Sequence, residues 1–494
     1  MRIVTLILLA VATSAANAED ALTFDQRFDL MRSDRQKLHT LFRAMPLGGD
    51  THTHLSGAVS ADALIEIAGR NHYYFAFSTE GKFLAYVAPK IILAKDGSVT
   101  FDFGGRCSGN TLCLQSDSLT NKHRDQIRQA IWITDADPQR GEKKGKFADF
   151  VRVFGVLDEL TDNSNVMPEL IHALMDEASG IRVSYLELKM TPYGRRNRFG
   201  AVVPIETLLN DLRSEIDAKN RALARAGKPT VVVKLVAQLL RSRLTRTGGI
   251  TNLPYIGCSG SDCATRWEQA HYLASLSRFS DFLVGYDFVG LPEVKLELPN
   301  STAKKMIREL TAKYGDANIA IHSGESDETK FADNIALALD AGADRLGHAY
   351  NLSSKVSSET RDLVCQGNTP MVIGLSSNVR LQVAPTIDDH PFVGVIRGDI
   401  CAQKKPLPVA LATDDAGLFN TDLALEFCIA AANSNLTWQE MKQLAKQSLL
   451  GSFAPAQEKA QLVAEWERDI REFEENWVLP TDRSQLAAGC PDPT

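Results

Sequence analysis

The stretch Gly49-Asp50-Thr51-His52-Thr53-His54 places two histidines one residue apart. Alternate residues of a β-strand point to the same face, so His52 and His54 can address one ion together. A single His-x-His pattern is more often a pair of surface or otherwise satisfied histidines. Its meaning therefore depends on which other side chains accompany it along the chain.

Two later strand-like segments end in side chains that also bind metals. Residues 318–321 are Asn-Ile-Ala-Ile and lead into His322, and residues 409–413 lead into Asp414. Three imidazoles and one carboxylate at strand ends suit a catalytic Zn²⁺, which binds such ligands and keeps one position open for water. The sequence thus predicts one Zn²⁺ per chain, held by these four side chains.

The composition describes a folded protein with a large core. The chain has 494 residues, of which 44% are apolar and 23% are charged. That length allows one large α/β domain with insertions, or two domains. The formal net charge of −7 argues against a general nucleic-acid or anionic-membrane surface. We therefore expect neither nucleic acid nor a membrane as a partner.

Residues 1–18 predict a signal peptide. Arg2 supplies the positive end, residues 3–12 the apolar stretch, and Ala16-Asn17-Ala18 the small-residue cleavage pattern. The apolar stretch is shorter than the roughly 18 to 20 residues that a membrane span requires. We expect the mature protein to begin near Glu19 and to be exported, either to the periplasm or out of the cell.

Export changes the interpretation of the cysteines, because an even number in an oxidising compartment favours disulfides. Two close pairs flank short turns, and two distant pairs would complete the set, although the sequence leaves the connectivity open. The alternative, zinc binding by the first four, has spacings unlike those of a zinc ribbon. The candidate pairs are Cys107 with Cys113, Cys258 with Cys263, Cys365 with Cys401, and Cys428 with Cys490.

The chain divides into four predicted regions after the leader. Residues 19–45 form an N-terminal helical segment, with one amphipathic helix over 24–45. Residues 46–450 form the main domain, and 71–146 read as an insertion of short β-rich runs after the first strand–helix unit. Residues 451–494 form a helical tail.

The main domain alternates short apolar strands with helical segments. Such alternation implies parallel βαβ units, and eight of them imply a (β/α)₈ TIM-type barrel, with a doubly wound open sheet as the alternative. Polar residues cluster where the strands end, which favours the barrel because its active sites lie at that mouth. The predicted strands are Pro46–His54, Val183–Met190, Val231–Leu239, Phe282–Phe288, Asn318–Ile321, Arg345–Leu346, Met371–Leu375 and Val409–Thr413.

Three further side chains near these strand ends could move protons. Glu325 follows His322 by three residues, and His348 ends the sixth strand. Asp415 is adjacent to Asp414, and a turn after the strand can bring both carboxylates into the mouth. Each has a structural alternative. Glu325 could be a helix-start glutamate favoured by the macrodipole, His348 a strand-end histidine with a structural hydrogen bond, and Asp415 a helix cap.

The ordered set of motifs resembles the adenosine deaminase family of metal-dependent amidohydrolases, and it covers roughly residues 46–450. The leader, the insertion and the cysteines make the chain most similar to the secreted, growth-factor-related branch. The motifs are His52-x-His54, Asp287-x-x-Gly290, His322-Ser-Gly-Glu325, Gly347-His348, Ser376-Ser377-Asn378 and Thr413-Asp414-Asp415.

The resemblance implies a reaction and a role for each residue. The substrate would be a purine nucleoside, adenosine and 2′-deoxyadenosine, converted to the inosine product and ammonia. Glu325 would protonate purine N1 as water attacks C6, and His348 would stabilise or deprotonate that water. Asp415 would hold the water and contact N7, and the Gly290 backbone would meet N3. The resemblance implies Zn²⁺ bound by His52, His54, His322 and Asp414.

Two positions depart from the family pattern. Ser56 stands where the family commonly has an acid that grips the ribose 5′-hydroxyl, so selectivity among nucleoside, deoxynucleoside and base is open. Lys189 stands where the family often has Arg. The alternatives are a barrel that acts on another aminopurine or hydrolysable substrate, or an exported binding or signalling protein on this scaffold. A homodimer also stays open.

Overall fold

The computed structural model describes residues 22–93, 99–133, 148–240, 273, 275–290, 308–309, 311–312, 317–325, 334–352 and 356–491. The predicted signal peptide and the pair Cys258–Cys263 lie outside these residues. The strand–helix alternation also predicts helices over 266–278 and 301–313, and most of both lie outside these residues. Within the described residues, no helix is both long and apolar enough to cross a membrane.

Eight parallel strands form one sheet that follows the chain order, β1-β7-β8-β9-β10-β11-β12-β13. The first and last strands meet through a parallel bridge between Thr53 and Asp414, with His54 N donating to Asp414 O at 2.9 Å. The sheet therefore closes, and the predicted (β/α)₈ barrel is confirmed. Its strands are β1 Gly48–His54, β7 Val183–Met190, β8 Val232–Leu240, β9 Leu283–Val289, β10 Asn318–Ser323, β11 Arg345–His348, β12 Met371–Ile373 and β13 Val409–Leu411.

Helices precede the barrel, cover its outside and follow it. They are α1 Phe24–Met31, α2 Arg35–Ala44, α3 Leu55–Ala58, α4 Ala61–Arg70, α5 Asn121–Ile131, α6 Ala148–Thr161, α7 Met167–Gly180, α8 Ile205–Arg225, α9 Asn334–Ala341, α10 Ser358–Gln366, α11 Leu375–Arg380, α12 Phe392–Arg397, α13 Leu423–Ala432, α14 Trp438–Leu450 and α15 Ala456–Asn476. Short 3₁₀ turns lie at Ser116–Ser118, Ser277–Phe279, Tyr350–Leu352 and Arg483–Gln485.

The N-terminal segment forms two helices where the sequence predicted one. Asp34 has an extended backbone, and its carboxylate accepts from Gln36 N and Lys37 N, both at 3.1 Å. An aspartate that satisfies the first free N–H groups of a helix is a strong N-cap. The second helix therefore begins after Asp34, and the single helix over 24–45 is wrong.

The strands within residues 71–146 belong to two small antiparallel sheets that are separate from the barrel sheet. One has the order β3-β2-β6 and the other pairs β4 with β5. The insertion boundaries stay a prediction. These strands are β2 Tyr74–Ser78, β3 Phe83–Val87, β4 Lys90–Leu93, β5 Val99–Asp102 and β6 Thr111–Leu114.

Several barrel strands end at positions other than predicted. β12 and β13 end at Ile373 and Leu411, two residues before the predicted ends, and helix α11 begins at Leu375 directly after β12. β10 continues two residues further, to Ser323, whereas β11 ends at His348, the residue expected at the end of the sixth strand. These two strands carry His322 and His348 up to the mouth of the barrel.

The lower interior of the barrel holds a buried ion pair where aliphatic side chains usually pack. Arg345 of β11 and Glu187 of β7 meet at 2.5 Å, and the Arg345 guanidinium lies 3.9 Å from the centre of the Phe453 ring. Phe453 also donates its backbone N–H to Glu187 at 2.5 Å. A Cβ at Gly285 would come within 2.6 Å of the Phe453 ring, so this close approach needs glycine. The Phe453 segment thus forms the floor of the barrel.

Three disulfides join the six cysteines that lie within the described residues, and they match pairs considered from the sequence. Their Cα–Cα distances are 5.5 to 5.9 Å, in the normal range for a disulfide. The longest closes 62 residues and ties helix α13 to the chain end. The pairs are Cys107–Cys113, Cys365–Cys401 and Cys428–Cys490.

Candidate metal centre and active site

Three imidazoles and one carboxylate converge at the mouth of the barrel. The Nε2 atom of His322 lies 3.1 Å from that of His52 and 3.2 Å from that of His54. Asp414 Oδ1 lies 3.5 Å and 3.2 Å from the same two histidine nitrogens. All four side chains are buried. The structure therefore brings together the complete predicted ligand set.

The spacing of these four atoms fits a metal ion between them. A tetrahedral ion with ligands at about 2.0–2.1 Å separates its ligand atoms by about 3.3–3.4 Å. Burial lowers the pKa of His52 well below its usual value and that of His322 to about 3. A neutral imidazole offers a lone pair to a metal ion, and ring nitrogens at these distances can share one cation with the Asp414 carboxylate. The chain thus carries the metal site expected of a metal-dependent amidohydrolase.

Side chains behind the ligands fix their orientation. His322 Nδ1 donates to Asp287 Oδ1 at 2.9 Å, which leaves Nε2 free for the metal. Ser377 Oγ donates to Asp414 Oδ2 at 2.7 Å, and the Gln238 amide contacts His54 Nδ1. Three of the four ligands therefore have a partner that holds their outward-facing atom.

Asp287 is a fully buried carboxylate between two basic groups. Burial alone would raise its pKa, but His322 and then Lys189 hold the pKa of Asp287 well below its usual range. Lys189 Nζ lies 2.5 Å from Asp287 Oδ2, and neither side chain has exposed area. An ionised Asp287 is the acceptor that His322 Nδ1–H requires.

The three candidate proton-transfer residues lie beside the ligands. His348 Nε2 is 3.5 Å from Glu325 Oε1, and one ring nitrogen of His348 lies within 4.8 Å of ligand atoms of His52, His322 and Asp414. Burial lowers the pKa of His348 to about 4, so the ring is neutral and can accept a proton. The structure thus brings His348 and Glu325 to the same side of the metal site.

Asp415 is buried next to Asp414, as predicted. Burial, and next the charge of Asp414, raise the pKa of Asp415 well above its usual value. Among the described residues, its Oδ1 has no hydrogen-bond partner. A Cβ at Gly57 would overlap the Asp415 carboxylate, so the close approach of α3 to this side chain requires glycine. The free oxygen marks Asp415 as a candidate contact for substrate.

Gly290 lies directly after β9, three residues beyond Asp287, and has a φ of 124°. Such a φ is nearly restricted to glycine. Residues 291–300 after it lie outside the described residues. Its backbone contact to a substrate ring therefore stays a prediction.

One supporting residue has no signal in the local sequence. Glu426, in the middle of α13, is fully buried and accepts from the backbone N–H groups of Leu375 and Ser376 at 2.9 and 3.1 Å. It caps helix α11, which carries Ser377 and Asn378 to the ligand Asp414 and to His348. Only the folded chain shows that this glutamate faces a helix start about 50 residues earlier.

Comparisons with known proteins agree with this site. A family model described as Adenosine deaminase matches residues 263–468. An adenosine deaminase of Phlebotomus duboscqi is 24% identical over 470 residues, covering 90% of this chain and 80% of its own. An N6-methyl-AMP deaminase of Danio rerio is 27% identical over 345 residues, covering 66% and 83%.

The fold also has solved counterparts. The crystal structure of an Arabidopsis N6-mAMP deaminase aligns with a TM-score of 0.57 at 19% identity, covering 86% of this chain and 99% of that one. At that identity the likeness concerns the fold. It places the eight-stranded barrel described above among known deaminase barrels.

Proposed function

We propose that this chain is a hydrolytic deaminase of the adenosine deaminase family and that its substrates are adenosine and 2′-deoxyadenosine. The observation that carries the proposal is the buried set of three imidazoles and Asp414 with Glu325 and His348 beside it. The Phlebotomus adenosine deaminase also aligns with 90% of this chain, against 66% for the Danio N6-methyl-AMP deaminase. The similarity to the adenosine deaminase therefore extends over more of this chain.

We propose Zn²⁺ as the metal. Three imidazoles and one carboxylate at near-tetrahedral spacing form a set that suits zinc. When bound, the ion supplies a water whose pKa is lowered to near 7. The ligands would be His52, His54, His322 and Asp414.

The remaining residues would move protons and hold the purine. His348, neutral at pH 7, would accept a proton from the attacking water. Glu325, 3.5 Å from His348, would deliver a proton to N1 as the ring carbon becomes tetrahedral. Asp415, whose pKa is raised by burial and by the neighbouring charge of Asp414, would hold the attacking water and contact N7. Loss of the exocyclic amine as ammonia then restores the aromatic ring.

A nucleoside monophosphate such as N6-methyl-AMP is a second candidate. Ser56 stands where the family commonly has an acid that binds the 5′-hydroxyl. Because Ser56 is uncharged, a 5′-phosphate would not be repelled at that position. The Danio relative carries that substrate in its name. N6-methyl-AMP differs from adenosine in two features, the 5′-phosphate and the methyl group on the exocyclic nitrogen.

A panel of adenosine, 2′-deoxyadenosine, adenine, AMP and N6-methyl-AMP would test the proposal. Purified protein loaded with Zn²⁺ is assayed for loss of the adenine absorbance band and for release of ammonia or methylamine, with a chelated sample as control. We expect chelator-sensitive turnover with the highest kcat/KM for the two nucleosides. A higher kcat/KM for either monophosphate would replace the nucleoside proposal with the second candidate.

We also propose that residues 1–18 direct export and that the mature protein acts in the periplasm or outside the cell. Disulfides persist in such oxidising compartments, and this chain contains at least three. Mass spectrometry of protein from its native source should find an N-terminus near Glu19. A native protein that retains residues 1–18 inside the cell would contradict export.

A further inference from the structure

A column of charged side chains runs inside the barrel from its floor to the metal site. Near the floor, Glu187 pairs with Arg345 at 2.5 Å. Two residues farther along β7, on the same face of the strand, Lys189 pairs with Asp287 at 2.5 Å. All four side chains are buried, so each charge depends on its partner in the column.

Lys189 is two contacts away from the proposed metal. Its ammonium group meets Asp287 Oδ2, and Asp287 Oδ1 accepts from His322 Nδ1 at 2.9 Å. The two oxygens of one carboxylate are therefore engaged from opposite sides, one by the lysine and one by the histidine. This arrangement fixes the plane of the carboxylate and, through it, the ring of His322.

We propose that Lys189 is a positioning residue for the metal site, holding Asp287 so that His322 directs Nε2 at the ion. Without the ammonium group, Asp287 would be a buried carboxylate with a single neutral partner. An uncompensated buried charge is strongly destabilised. The carboxylate would turn away or draw in water, and His322 would lose the acceptor that sets its orientation.

The ion pair between Glu187 and Arg345 makes lysine suitable at position 189. Arg345 already fills the space beneath, where its guanidinium lies against Phe453 and bonds Gly451 O at 3.2 Å. Glu187 and Lys189 leave β7 on the same face, so the column alternates in sign from floor to metal. A lysine ammonium is a compact charge that meets one carboxylate oxygen and leaves the other to His322.

The inference rests on the proposed metal and is tested with Zn²⁺ itself. Lys189→Gln and Lys189→Met remove the charge, Lys189→Arg restores it, and Lys234→Met serves as a matched control. Lys234 is also a nearly buried strand lysine with an ion pair, to Glu458 at 2.6 Å, but β8 carries it away from the ligands. Zn²⁺ affinity is measured by competition with a chelating indicator, and the visible spectrum of the Co²⁺-loaded protein reports ligand geometry.

We expect Lys189→Gln and Lys189→Met to bind Zn²⁺ about 10- to 100-fold more weakly, the usual effect of losing a supporting group. Their Co²⁺ spectra should change, Lys189→Arg should recover most of the affinity, and Lys234→Met should match the original protein. The glutamine variant keeps a polar group at the site, so it tests the inference even if the methionine variant does not fold. If the folded Lys189→Gln variant keeps the Zn²⁺ affinity and the Co²⁺ spectrum of the original protein, the inference about Lys189 is wrong. Failure of the unchanged protein to bind Zn²⁺ would instead overturn the proposed metal.

Discussion

Two residues at the site have a positive φ, a backbone conformation that residues other than glycine rarely adopt. His348 has a φ of 66° and Asp414 a φ of 62°. Such strain occurs mainly where the surrounding structure fixes the chain for function. Here Asp414 N donates to His52 O at 2.9 Å and Ala349 N to Ser323 O at 2.9 Å, so neighbouring strands hold both positions. These two backbone conformations direct the side chains of His348 and Asp414 toward the candidate metal site.

Glu325→Gln should separate proton transfer from metal binding. The amide keeps the size of the side chain but cannot deliver a proton, so we expect kcat to fall about 10²- to 10⁴-fold while bound Zn²⁺ stays at one per chain. The measurement is kcat with the best substrate of the panel, alongside metal analysis. Glu169→Gln, on the outer helix α7, is the control and should keep normal turnover. Near-normal kcat in Glu325→Gln would exclude Glu325 as the acid.

At the scale of elements, the seam between β1 and β13 and the helix packed behind it matter most. Asp50 of β1 accepts from Thr413 Oγ1 at 2.6 Å, which links the two ends of the barrel sheet beside the backbone bridge. Helix α7 packs over this seam, and its Glu177 lines a small cavity together with Asp50 and Thr413. Burial, and then Asp422 and Asp50, raise the pKa of Glu177 to about 8.

The stability of the fold should therefore depend on pH through Glu177. With a pKa of about 8, its carboxyl keeps a proton in the folded state up to about pH 8, whereas in the unfolded chain it releases the proton near the usual glutamate pKa of 4.5. Between about pH 4.5 and pH 8, folding is therefore coupled to protonation of Glu177. The contribution of Glu177 to the free energy of unfolding falls as the pH rises through this range. Glu177→Gln removes this pH dependence. The Tm of the variant minus the Tm of the original protein should therefore be larger at pH 8.5 than at pH 5.

Asp176→Asn is the control for that measurement. Asp176 is the preceding residue on α7, is half-exposed and pairs with Lys219 at 2.6 Å. Thermal unfolding of both variants is followed at the two pH values. An equal Tm difference for Glu177→Gln at pH 5 and pH 8.5 would show that this carboxyl does not titrate differently on folding.

At the scale of the whole molecule, the two ends of the chain are tied to the barrel. The Phe453 segment forms the floor, and beyond it the Trp466 indole donates to Pro46 O at 2.9 Å, just before β1. Cys490 then bonds to Cys428 on α13, and Arg35 of α2 donates to Pro491 O at 2.9 Å. The C-terminal segment therefore supports the site from below, although it contributes none of the predicted ligands.

Removing the disulfide Cys428–Cys490 should cost more than removing Cys107–Cys113. Closing 62 residues restricts the unfolded chain more than closing 6. Loop entropy predicts losses of about 4 and about 2 kcal/mol in the free energy of unfolding. Guanidinium unfolding of the two double Cys→Ala variants, followed by tryptophan fluorescence, measures both. A larger loss for the short loop would contradict the entropic account.

The sequence by itself determined the barrel and which side chains meet at its mouth. Strand–helix alternation requires parallel strands, and parallel strands in a barrel bring their carboxyl ends to one mouth, so His52, His54, His322 and Asp414 had to converge. The same logic placed Glu325, His348 and Asp415 beside them. These predictions succeed because they depend only on periodicity and on a topology shared by every strand.

Only the tertiary structure decided which buried charges pair. Lys189 meets Asp287 about 100 residues later, and Glu426 caps a helix about 50 residues earlier. Neither pairing leaves a trace in local spacing, because it depends on which side chains face each other across the closed barrel or between its outer layers. The broken N-terminal helix has the same kind of cause, since Asp34 satisfies backbone groups that a continuous helix would satisfy itself. Periodicity specifies where side chains point, but packing selects their partners.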